Sequence, residues 1–317
     1  MARGFLRPSC ERNRVSDNGS TEKNTVQYNQ KVLRRLQLTE LDILKDIDTV
    51  CRVYDIVYWI DSGTVLGARR HGGFIPWDDD IDIGMPRGDY ERFLQVAPAA
   101  LGNHYCITTP QTNSHQAAFF AKVMLKGTHF TTNETEESGF DQGIFVDVFP
   151  YDAVCPNARD AVRQRRRCAM WQGISYLYHS KHVVVPHRGM LGTLEHIICG
   201  VAHTVFRALF TSDYIARNFD SVATIANSDA ATKEIMISAY ASLEPYRVSM
   251  LLPPSEIMFE GHSFFAPADV DGYLRKLYGD TWNQLPPEEQ RRNHAPKELD
   301  FGTLPYPGKL SSLFLEQ

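Results

Sequence analysis

The chain of 317 residues lacks the cysteine patterns of a disulfide framework or a zinc knuckle. No C-x-x-C pair occurs, and the cysteines are scattered at Cys10, Cys51, Cys106, Cys155, Cys168 and Cys199. A fold held together by disulfides is therefore excluded, and a reducing compartment is expected.

An excess of basic charge is also missing. The formal net charge is −5 and the isoelectric point is near 6.1, so no basic field is available to hold a nucleic acid backbone, and nucleic acid is not expected as a partner. The basic residues at the start have no apolar segment behind them, which excludes a secretory signal. We therefore expect a cytoplasmic protein.

The sequence has no long apolar run free of polar side chains. Residues 190–210 have the length of a membrane span, but Glu195, His196, His203 and Arg207 interrupt them. This pattern predicts a core or interfacial helix, which could make a peripheral contact at the inner face of the membrane.

The hydrophobic content of 43% is enough for a full core. Residues 1–28 show no repeating apolar face and are predicted to be a disordered lead. Helical periodicity over 30–54, with a break near Thr39, precedes apolar runs typical of strands at 56–60, 81–86, 117–125 and 143–150. Helical patterns at 89–98 and 159–226 complete an α/β (α+β) fold, predicted as a mixed sheet flanked by helices: a catalytic core at 29–155 and a mainly helical region at 156–317.

Four aspartates crowd into "WDDDID", directly before an apolar strand. Asp80 and Asp82 alternate with Ile81 and Ile83, so both carboxylates face the same side of the strand. Asp78 shares that parity, and Asp79 does not. Like charges so close together raise each other's pKa or require a compensating cation, and carboxylate oxygens on a rigid element suit Mg²⁺ or Mn²⁺. We predict Asp80 and Asp82 as metal ligands, with Asp78 as a further ligand.

Three other interpretations of these aspartates compete with this one. A solvated acidic loop would have no need of alternating isoleucines. A calcium loop of the EF-hand type would require glycine and glutamate where Ile83 and Asp89 stand. The D-x-D site of a nucleotide-sugar glycosyltransferase uses the same metal chemistry and is separated from our interpretation only by the sequence upstream.

That upstream sequence, "DSGTVLGARRHGG", predicts a strand, a turn and a helix beginning near Val65. Gly63 would let the backbone approach a phosphate closely, and Ser62 and Thr64 would supply hydroxyl and amide donors at a helix N-terminus. Arg70 and His71 follow as candidate cationic clamps. The turn by itself is equally compatible with an ordinary helix cap.

The run "YWIDSGTVLGARRHGGFIPWDDDIDIGMPRGDYERF" resembles the LicD family of the nucleotidyltransferase superfamily, with a more distant resemblance to fukutin-related protein. The similarity includes "GIFVDVFPYD" and returns at residues 271–294. It implies that Asp80 and Asp82 hold the catalytic metal on the donor pyrophosphate, with Ser62, Gly63 and Thr64 along the phosphates. A third carboxylate is expected in such a site, and Asp147 stands alone in its apolar strand as ligand, general base or structural hydrogen-bond acceptor.

The resemblance implies an enzyme that transfers a phospho-alcohol, such as phosphocholine, from a CDP-linked donor to a cell-envelope glycan such as lipopolysaccharide or teichoic acid, or to its lipid-linked precursor. Two alternatives stay open: nucleotidyl transfer to a small molecule or sugar phosphate, and a non-catalytic nucleotide-binding relative. Secondary candidates are a histidine group, for which a polar loop is the simpler explanation, and a basic group, for which a solvated face is. Their members are His179, His182 and His187, and Arg291, Arg292 and His294.

Overall fold

The computed structural model describes residues 28–181, 187, 189–228, 234–240, 243–291, 293–294 and 296–303. The predicted lead, 1–28, lies outside these residues except for Tyr28. The secondary candidates His182 and Arg292 also lie outside them, as does Cys10. The other five cysteines are free thiols.

Helices and strands alternate through the first half of the chain. The strands are β1 (Trp59–Ile60), β2 (Asp82–Pro86), β3 (Tyr105–Thr108), β4 (Ala121–Leu125), β5 (His129–Thr131), β6 (Phe145–Ala153), β7 (Ile235–Ser238), β8 (Tyr246–Arg247), β9 (Ser255–Phe259), β10 (His262–Ala266) and β11 (Glu298–Asp300). The helices are α1 (Gln30–Val53), α2 (Ser62–His71), α3 (Arg87–Ala100), α4 (Asn133–Ser138), α5 (Ala158–His179), α6 (Gly189–Leu209), α7 (Ser212–Ala223), α8 (Val248–Leu251) and α9 (Val270–Tyr278).

The main sheet is mixed, with strand order β1-β2-β6-β4-β3, and β7 pairs with the far end of β6 and with β8. Only the β2–β6 pair is parallel among the described pairs of this sheet; the others are antiparallel. Two hairpin-like pairs, β9–β10 and β5–β11, lie outside it. The predicted mixed sheet flanked by helices is confirmed, and it also takes β7 and β8 from the C-terminal region, where the sequence pattern indicated mainly helices.

Helix α1 follows the predicted apolar period, and its buried face includes Leu36, Leu44 and Ile47. The predicted break near Thr39 is wrong. The Thr39 hydroxyl donates to the carbonyl of Arg35 one turn earlier, 2.8 Å away. Its hydrogen bond is thus made within a continuous helix, and Thr39 does not cap a new one. Helix α1 contacts β4 and β6, so one of its faces lies against the strands that follow the acidic stretch.

Helices α5 and α7 supply most of a second apolar cluster. Helix α5 packs against α6 and α7, and Phe219 of α7 stacks on Phe119 with ring centroids 3.9 Å apart. A buried ion pair joins this cluster to the sheet, because Arg87 at the start of α3 contacts both Asp152 of β6, at 2.6 Å, and Asp220 of α7, at 3.2 Å.

Several predicted boundaries shift. Helix α2 begins at Ser62, not near Val65, because the Asp61 side chain accepts from the Ser62 amide and caps the helix directly after β1. Strand β1 is limited to two of the five predicted residues, and β4 begins four residues later than predicted. Helix α3 covers the predicted 89–98 and continues through Pro98.

Candidate active site

Three charged side chains stand in one row across neighbouring strands. Asp82 on β2 is paired with Asp147 on β6, and Asp147 is paired with Lys122 on β4. Residues paired across strands point to the same face, and neighbouring strands lie about 4.8 Å apart. The structure therefore places Asp147 beside Asp82, as the prediction for a third carboxylate requires.

Asp147 is held by a lysine that the sequence analysis missed. The Lys122 ammonium donates to Asp147 at 2.7 Å, and both side chains are about 10% exposed. Burial raises the pKa of Asp147 to about 6, and Lys122 opposes that rise. Asp147 thus has a structural partner and a perturbed pKa at once, which is compatible with the ligand, base and acceptor interpretations alike.

The four aspartates before and in β2 divide into two groups. Asp79, which is fully buried, accepts from the Tyr28 hydroxyl at 2.7 Å and from the His294 amide at 2.8 Å. Burial alone would raise the pKa of Asp79, but the hydrogen bonds and charge of His294, with Tyr28, hold it below its usual range. Asp79 therefore ties two segments that are distant in sequence to the acidic loop: the residue Tyr28 before α1 and the C-terminal segment around His294.

Asp78, Asp80 and Asp82 have no such anchoring. Asp78 and Asp80 share a hydrogen bond with each other, and within the described part of the chain no amide, hydroxyl or lysine donates to the Asp82 carboxylate. Burial and mutual repulsion raise the pKa of Asp78 and Asp82 well above the usual range, and burial also raises that of Asp80. Among the described residues, Asp78 and Asp80 have each other as partners, and His294 lies 3.9 Å from Asp80. These three carboxyl groups would therefore gain most from a bound cation.

The carboxyl groups at this site are of the kind that binds a divalent metal. Six carboxyl groups converge here, from Glu40, Asp78, Asp79, Asp80, Asp82 and Asp147, whereas the ion pairs of the described residues bring them only Lys122 and His294. Ligand atoms of Asp79, Asp80 and His294 lie within 4.8 Å of one another. Asp78, Asp80 and Asp82, the metal ligands that the sequence predicts, carry the hard oxygen atoms that suit Mg²⁺ or Mn²⁺, whereas Asp79 already accepts from Tyr28 and His294.

His294, a secondary candidate in the sequence, lies at this site. Its Nδ1 is 3.1 Å from Asp79 Oδ1 and 3.9 Å from Asp80 Oδ2, and its side chain is 48% exposed. Burial would lower the pKa of His294, but the charges of Asp80 and Asp79 outweigh that effect and raise it. Arg291, from the same segment, stacks its guanidinium over the Trp77 ring at 4.5 Å. This C-terminal segment therefore covers the acidic loop.

The N-terminus of α2 opens onto the same site. Gly63 is in close contact with Asp78: a Cβ at this position would come 2.9 Å from Asp78 Oδ2. The amides of Gly63 and Thr64 belong to the first helical turn, which leaves them without partners inside the helix. Glycine here thus makes room for an acidic neighbour as well as for a ligand.

The two hydroxyl residues of the turn differ in their surroundings. Ser62 is partly exposed and has a φ of 46°, in the left-handed region that is strained for a residue with a side chain. Thr64 is buried, and its hydroxyl accepts from the Asp82 amide at 2.9 Å. Thr64 therefore fixes the helix to the first residue of β2, whereas the Ser62 hydroxyl donates to Asp61 at 3.5 Å.

Asp61 holds the turn at the start of α2 in place. Its buried carboxylate accepts from the hydroxyls of Tyr151 on β6, at 2.7 Å, and Tyr273 on α9, and from the Ser62 amide. Burial raises the pKa of Asp61, and those hydrogen bonds oppose the rise. The sequence showed Asp61 only as a turn residue, since its two tyrosine partners lie 90 and 212 positions away.

Arg70 and His71 lie apart from this centre. They occupy the last turn of α2, about 12 Å along the helix axis from Ser62 by the rise of 1.5 Å per residue. Arg70 donates to the carbonyls of Trp282 and Gln284, at 3.1 and 3.0 Å, and to the His71 ring. No hydrogen bond or ion pair among the described residues joins Arg70 or His71 to the aspartates, although the charge of Asp78 acts on Arg70.

Comparison with known proteins identifies this arrangement. Residues 55–189 match the family model for the LicD/FKTN/FKRP nucleotidyltransferase domain. The lipopolysaccharide cholinephosphotransferase LicD of Haemophilus influenzae is 29% identical over 272 residues, which cover 84% of this chain and 97% of that relative. The chain is therefore similar to the LicD family, over the nucleotidyltransferase domain and over most of the length of one relative. Human ribitol 5-phosphate transferase FKRP is 44% identical over 46 residues, 14% of this chain and 9% of the relative.

The LicD domain match includes the acidic loop, Lys122 and Asp147, but its limits leave out other residues of the site. Tyr28 and Glu40 precede the matched range, and Tyr273 and His294 follow it. Lys122 is the one charged residue in the apolar run "AAFFAKVML", just as Asp147 is in its own strand. The sequence alone could therefore have marked Lys122 as a candidate site residue. Glu40 has no such signal, because an acid in an amphipathic helix is ordinarily exposed.

The other secondary candidates have local partners. His179 ends α5 with its ring nitrogens at the carbonyls of Ser175 and Ser114, 2.8 and 3.0 Å away. His187 pairs with Glu195 of α6 at 2.6 Å. The described residues contain no helix that is long and apolar enough to cross a membrane.

Proposed function

We propose that this chain, which resembles the LicD family, transfers a phospho-alcohol group from a CDP-linked donor to a hydroxyl of a cell-envelope glycan or its lipid-linked precursor. The observation that carries the proposal is the cluster of carboxyl groups of Asp78, Asp80 and Asp82 beside the open N-terminus of α2. The printed functions of the two relatives, cholinephosphotransferase and ribitol 5-phosphate transferase, support a phospho-alcohol as the transferred group.

The donor would lie along the start of α2. The amides of Gly63 and Thr64 and the hydroxyl of Ser62 would bind its phosphate oxygens, and Arg70 and His71 could hold its far end. Asp78, Asp80 and Asp82 would hold Mg²⁺ or Mn²⁺, which when bound neutralises the pyrophosphate charge. Lys122 adds a buried positive charge beside the reacting phosphate.

In the reaction, the acceptor hydroxyl oxygen forms a bond to the distal phosphorus, and the bond from that phosphorus to the bridging oxygen breaks. CMP leaves with the bonding electron pair, and Asp147 takes the hydroxyl proton. The row Asp82–Asp147–Lys122 puts this base next to the metal-holding carboxylate.

The product distinguishes this reaction from nucleotidyl transfer. Purified protein is incubated with CDP-choline, CDP-glycerol or CDP-ribitol, Mg²⁺ and cell extract as the source of acceptor. Release of CMP that disappears with EDTA supports phospho-alcohol transfer. Transfer of the CMP moiety itself would indicate nucleotidyl transfer, and binding of a CDP-alcohol without turnover would indicate a non-catalytic relative.

The outer face of α6 supports a peripheral contact with a cytoplasmic anionic membrane surface. Its exposed apolar side chains lie on one side of the helix: Met190, Leu191, Leu194, Ile197, Ile198, Val201, Val205 and Leu209. Glu195, the acid of this helix, is turned inward against His187, whereas Arg207 is exposed. An apolar face without an outward acid is compatible with insertion among lipid headgroups, where a lipid-linked acceptor would be located.

We expect the protein to sediment with vesicles of phosphatidylglycerol and phosphatidylethanolamine, and to be released by salt or detergent. Leu194→Glu with Ile198→Glu should abolish sedimentation, whereas Met258→Glu, an equally exposed apolar position on β9, should not. Equal sedimentation of both variants would refute the contact. A change in oligomeric state of the α6 variant would instead assign the face to a second copy, and recovery as a secreted disulfide-bonded species would refute the cytoplasmic location.

A further inference from the structure

Glu40 is a buried acid without a hydrogen-bond partner. It lies in the middle of α1, its exposure is 0%, and neither carboxyl oxygen has a partner among the described residues. The other buried polar side chains of α1 are satisfied: Thr39 bonds to Arg35, and Gln37 donates to the carbonyl of Asp78 at 2.9 Å. Glu40 therefore differs from its neighbours on the same helix.

The surroundings of Glu40 are acidic. Gln37, one turn earlier on α1, touches the acidic loop directly, and Tyr28, just before the helix, donates to Asp79. After burial, the charges that most disfavour ionised Glu40 come from Asp80, Asp79, Asp78 and Asp147. This part of α1 thus lies directly behind the candidate metal site, with Glu40 facing its carboxylates.

No structural benefit explains an acid at this position. An unpartnered carboxyl in the core loses its hydration without gaining a hydrogen bond, and an apolar side chain of similar volume would pack there at lower cost. Its neighbours on the buried face, such as Leu36, Leu41 and Leu44, are apolar. Burial of the Glu40 carboxylate becomes favourable only when a cation binds to the neighbouring aspartates.

We propose that Glu40 is a positioning residue of the cation site, whose buried negative charge lies behind Asp80 and increases the affinity of the site for a divalent cation. This rests on the proposed function only in taking Asp78, Asp80 and Asp82 to bind a cation. A buried charge interacts with a nearby cation much more strongly than a solvated one, because little water lies between them. Glu40 thereby acts through the ligands and need not touch the metal.

The test measures binding of Mn²⁺ to the purified full chain without donor or acceptor, by calorimetry or electron paramagnetic resonance. Glu40→Gln keeps the shape and removes the charge; Glu40→Met removes charge and polarity. Asp42→Asn is the matched control, since Asp42 lies two residues further on α1 with a side chain that is 36% exposed. Melting temperature in EDTA is recorded for every variant, so that misfolding is recognised.

We expect both Glu40 variants to bind Mn²⁺ about 10- to 100-fold more weakly, the usual scale for groups that support metal ligands, and to melt in EDTA at the same or a higher temperature. Asp42→Asn should bind like the wild type. Wild-type affinity in both Glu40 variants would overturn the proposal, as would weakened binding in Glu40→Met alone, which would assign hydrogen bonding in place of charge. A wild-type chain that binds no Mn²⁺ would overturn it as well, whereas a chain that binds Mn²⁺ but releases no CMP would refute only the proposed reaction.

Discussion

At the residue scale, four aspartates that look equivalent in "DDDID" have different surroundings. Asp79 is anchored by Tyr28 and His294, and its pKa is lowered; Asp78 and Asp82 have no amide, hydroxyl or lysine donor among the described residues, and their pKa values are raised. Neighbouring positions in one loop thus separate into an anchored acid and acids that we propose as metal ligands. Substitutions that remove only the charge should separate them in the same way.

We expect Asp80→Asn or Asp82→Asn to abolish turnover and to leave the stability of the metal-free protein unchanged or raised, because like-charge repulsion is relieved. Asp79→Asn is the contrasting variant and should lose about 1–3 kcal/mol of stability, since its buried partners lose a charged acceptor. CMP release and urea denaturation in EDTA are the measurements. Full activity of Asp80→Asn or Asp82→Asn would contradict the metal assignment.

The Asp147 carboxylate stands between Asp82 and Lys122, so an isosteric amide tests its chemistry. We expect Asp147→Asn to lower kcat at least about a hundredfold, the usual scale for loss of a general base, and also to lower stability, because the buried Lys122 ammonium loses its charged acceptor. Asp141→Asn, exposed in the preceding loop with 87% of its side chain in solvent, should behave like wild type. If Asp147→Asn kept its specific activity but lost ~1–3 kcal/mol of stability, Asp147 would be only the partner of Lys122.

At the element scale, the N-terminus of α2 is positioned by strands and helices far away in the chain. Asp61 caps the helix and is itself held by Tyr151 of β6 and Tyr273 of α9. Thr64 ties the same turn to the Asp82 amide. The strained backbone of Ser62 is maintained by these contacts, which explains how a short turn can keep its amides aimed at one place.

Removal of the Tyr273 hydroxyl should therefore loosen the donor site without touching the aspartates of β2. We expect Tyr273→Phe to lose roughly 1 kcal/mol of stability, the net worth of a hydrogen bond, and to raise KM for the CDP-alcohol more than it lowers kcat. Tyr54→Phe, an exposed tyrosine at the end of α1, is the control. A Tyr273→Phe enzyme with unchanged KM would show that the cap does not position the donor-binding amides.

At the scale of the whole molecule, the acidic centre makes stability depend on pH in an unusual direction. Burial and repulsion raise the pKa of Glu40, Asp78, Asp82 and Asp147, that of Asp147 to about 6. The folded state then binds more protons than the unfolded state from about pH 4 upward, so stability falls as pH rises through the raised values. His294 has the same sign: its stabilisation is complete below about pH 6.5 and is lost above it.

We therefore expect the melting temperature in EDTA to rise as pH is lowered from about 8 to about 6. Saturating Mg²⁺ should raise the melting temperature more at the higher pH, because the cation replaces protons among the carboxylates. Asp79, with its lowered pKa, opposes this trend only below about pH 4. Thermal melts with EDTA and with Mg²⁺ measure both effects, and a melting temperature in EDTA that fell on acidification would contradict the charge balance described here.

What the sequence by itself determined are the features with a local pattern. The apolar period of α1, the alternation of Asp80 and Asp82 with isoleucines, and the lone acid of β6 all appear within a few residues, because side-chain direction repeats every 3.6 residues in a helix and every 2 in a strand. The mixed sheet and the location of the acidic centre follow from these patterns.

Only the tertiary structure decided which partner each of these side chains meets. The register of β2, β6 and β4 sets Asp82, Asp147 and Lys122 in one row, and His294 reaches Asp79 across 215 positions. The burial of Glu40 likewise depends on which face of α1 meets the sheet. Such contacts come from the packing of distant segments, whose energies depend on the surroundings of each group and leave no periodic trace along the chain.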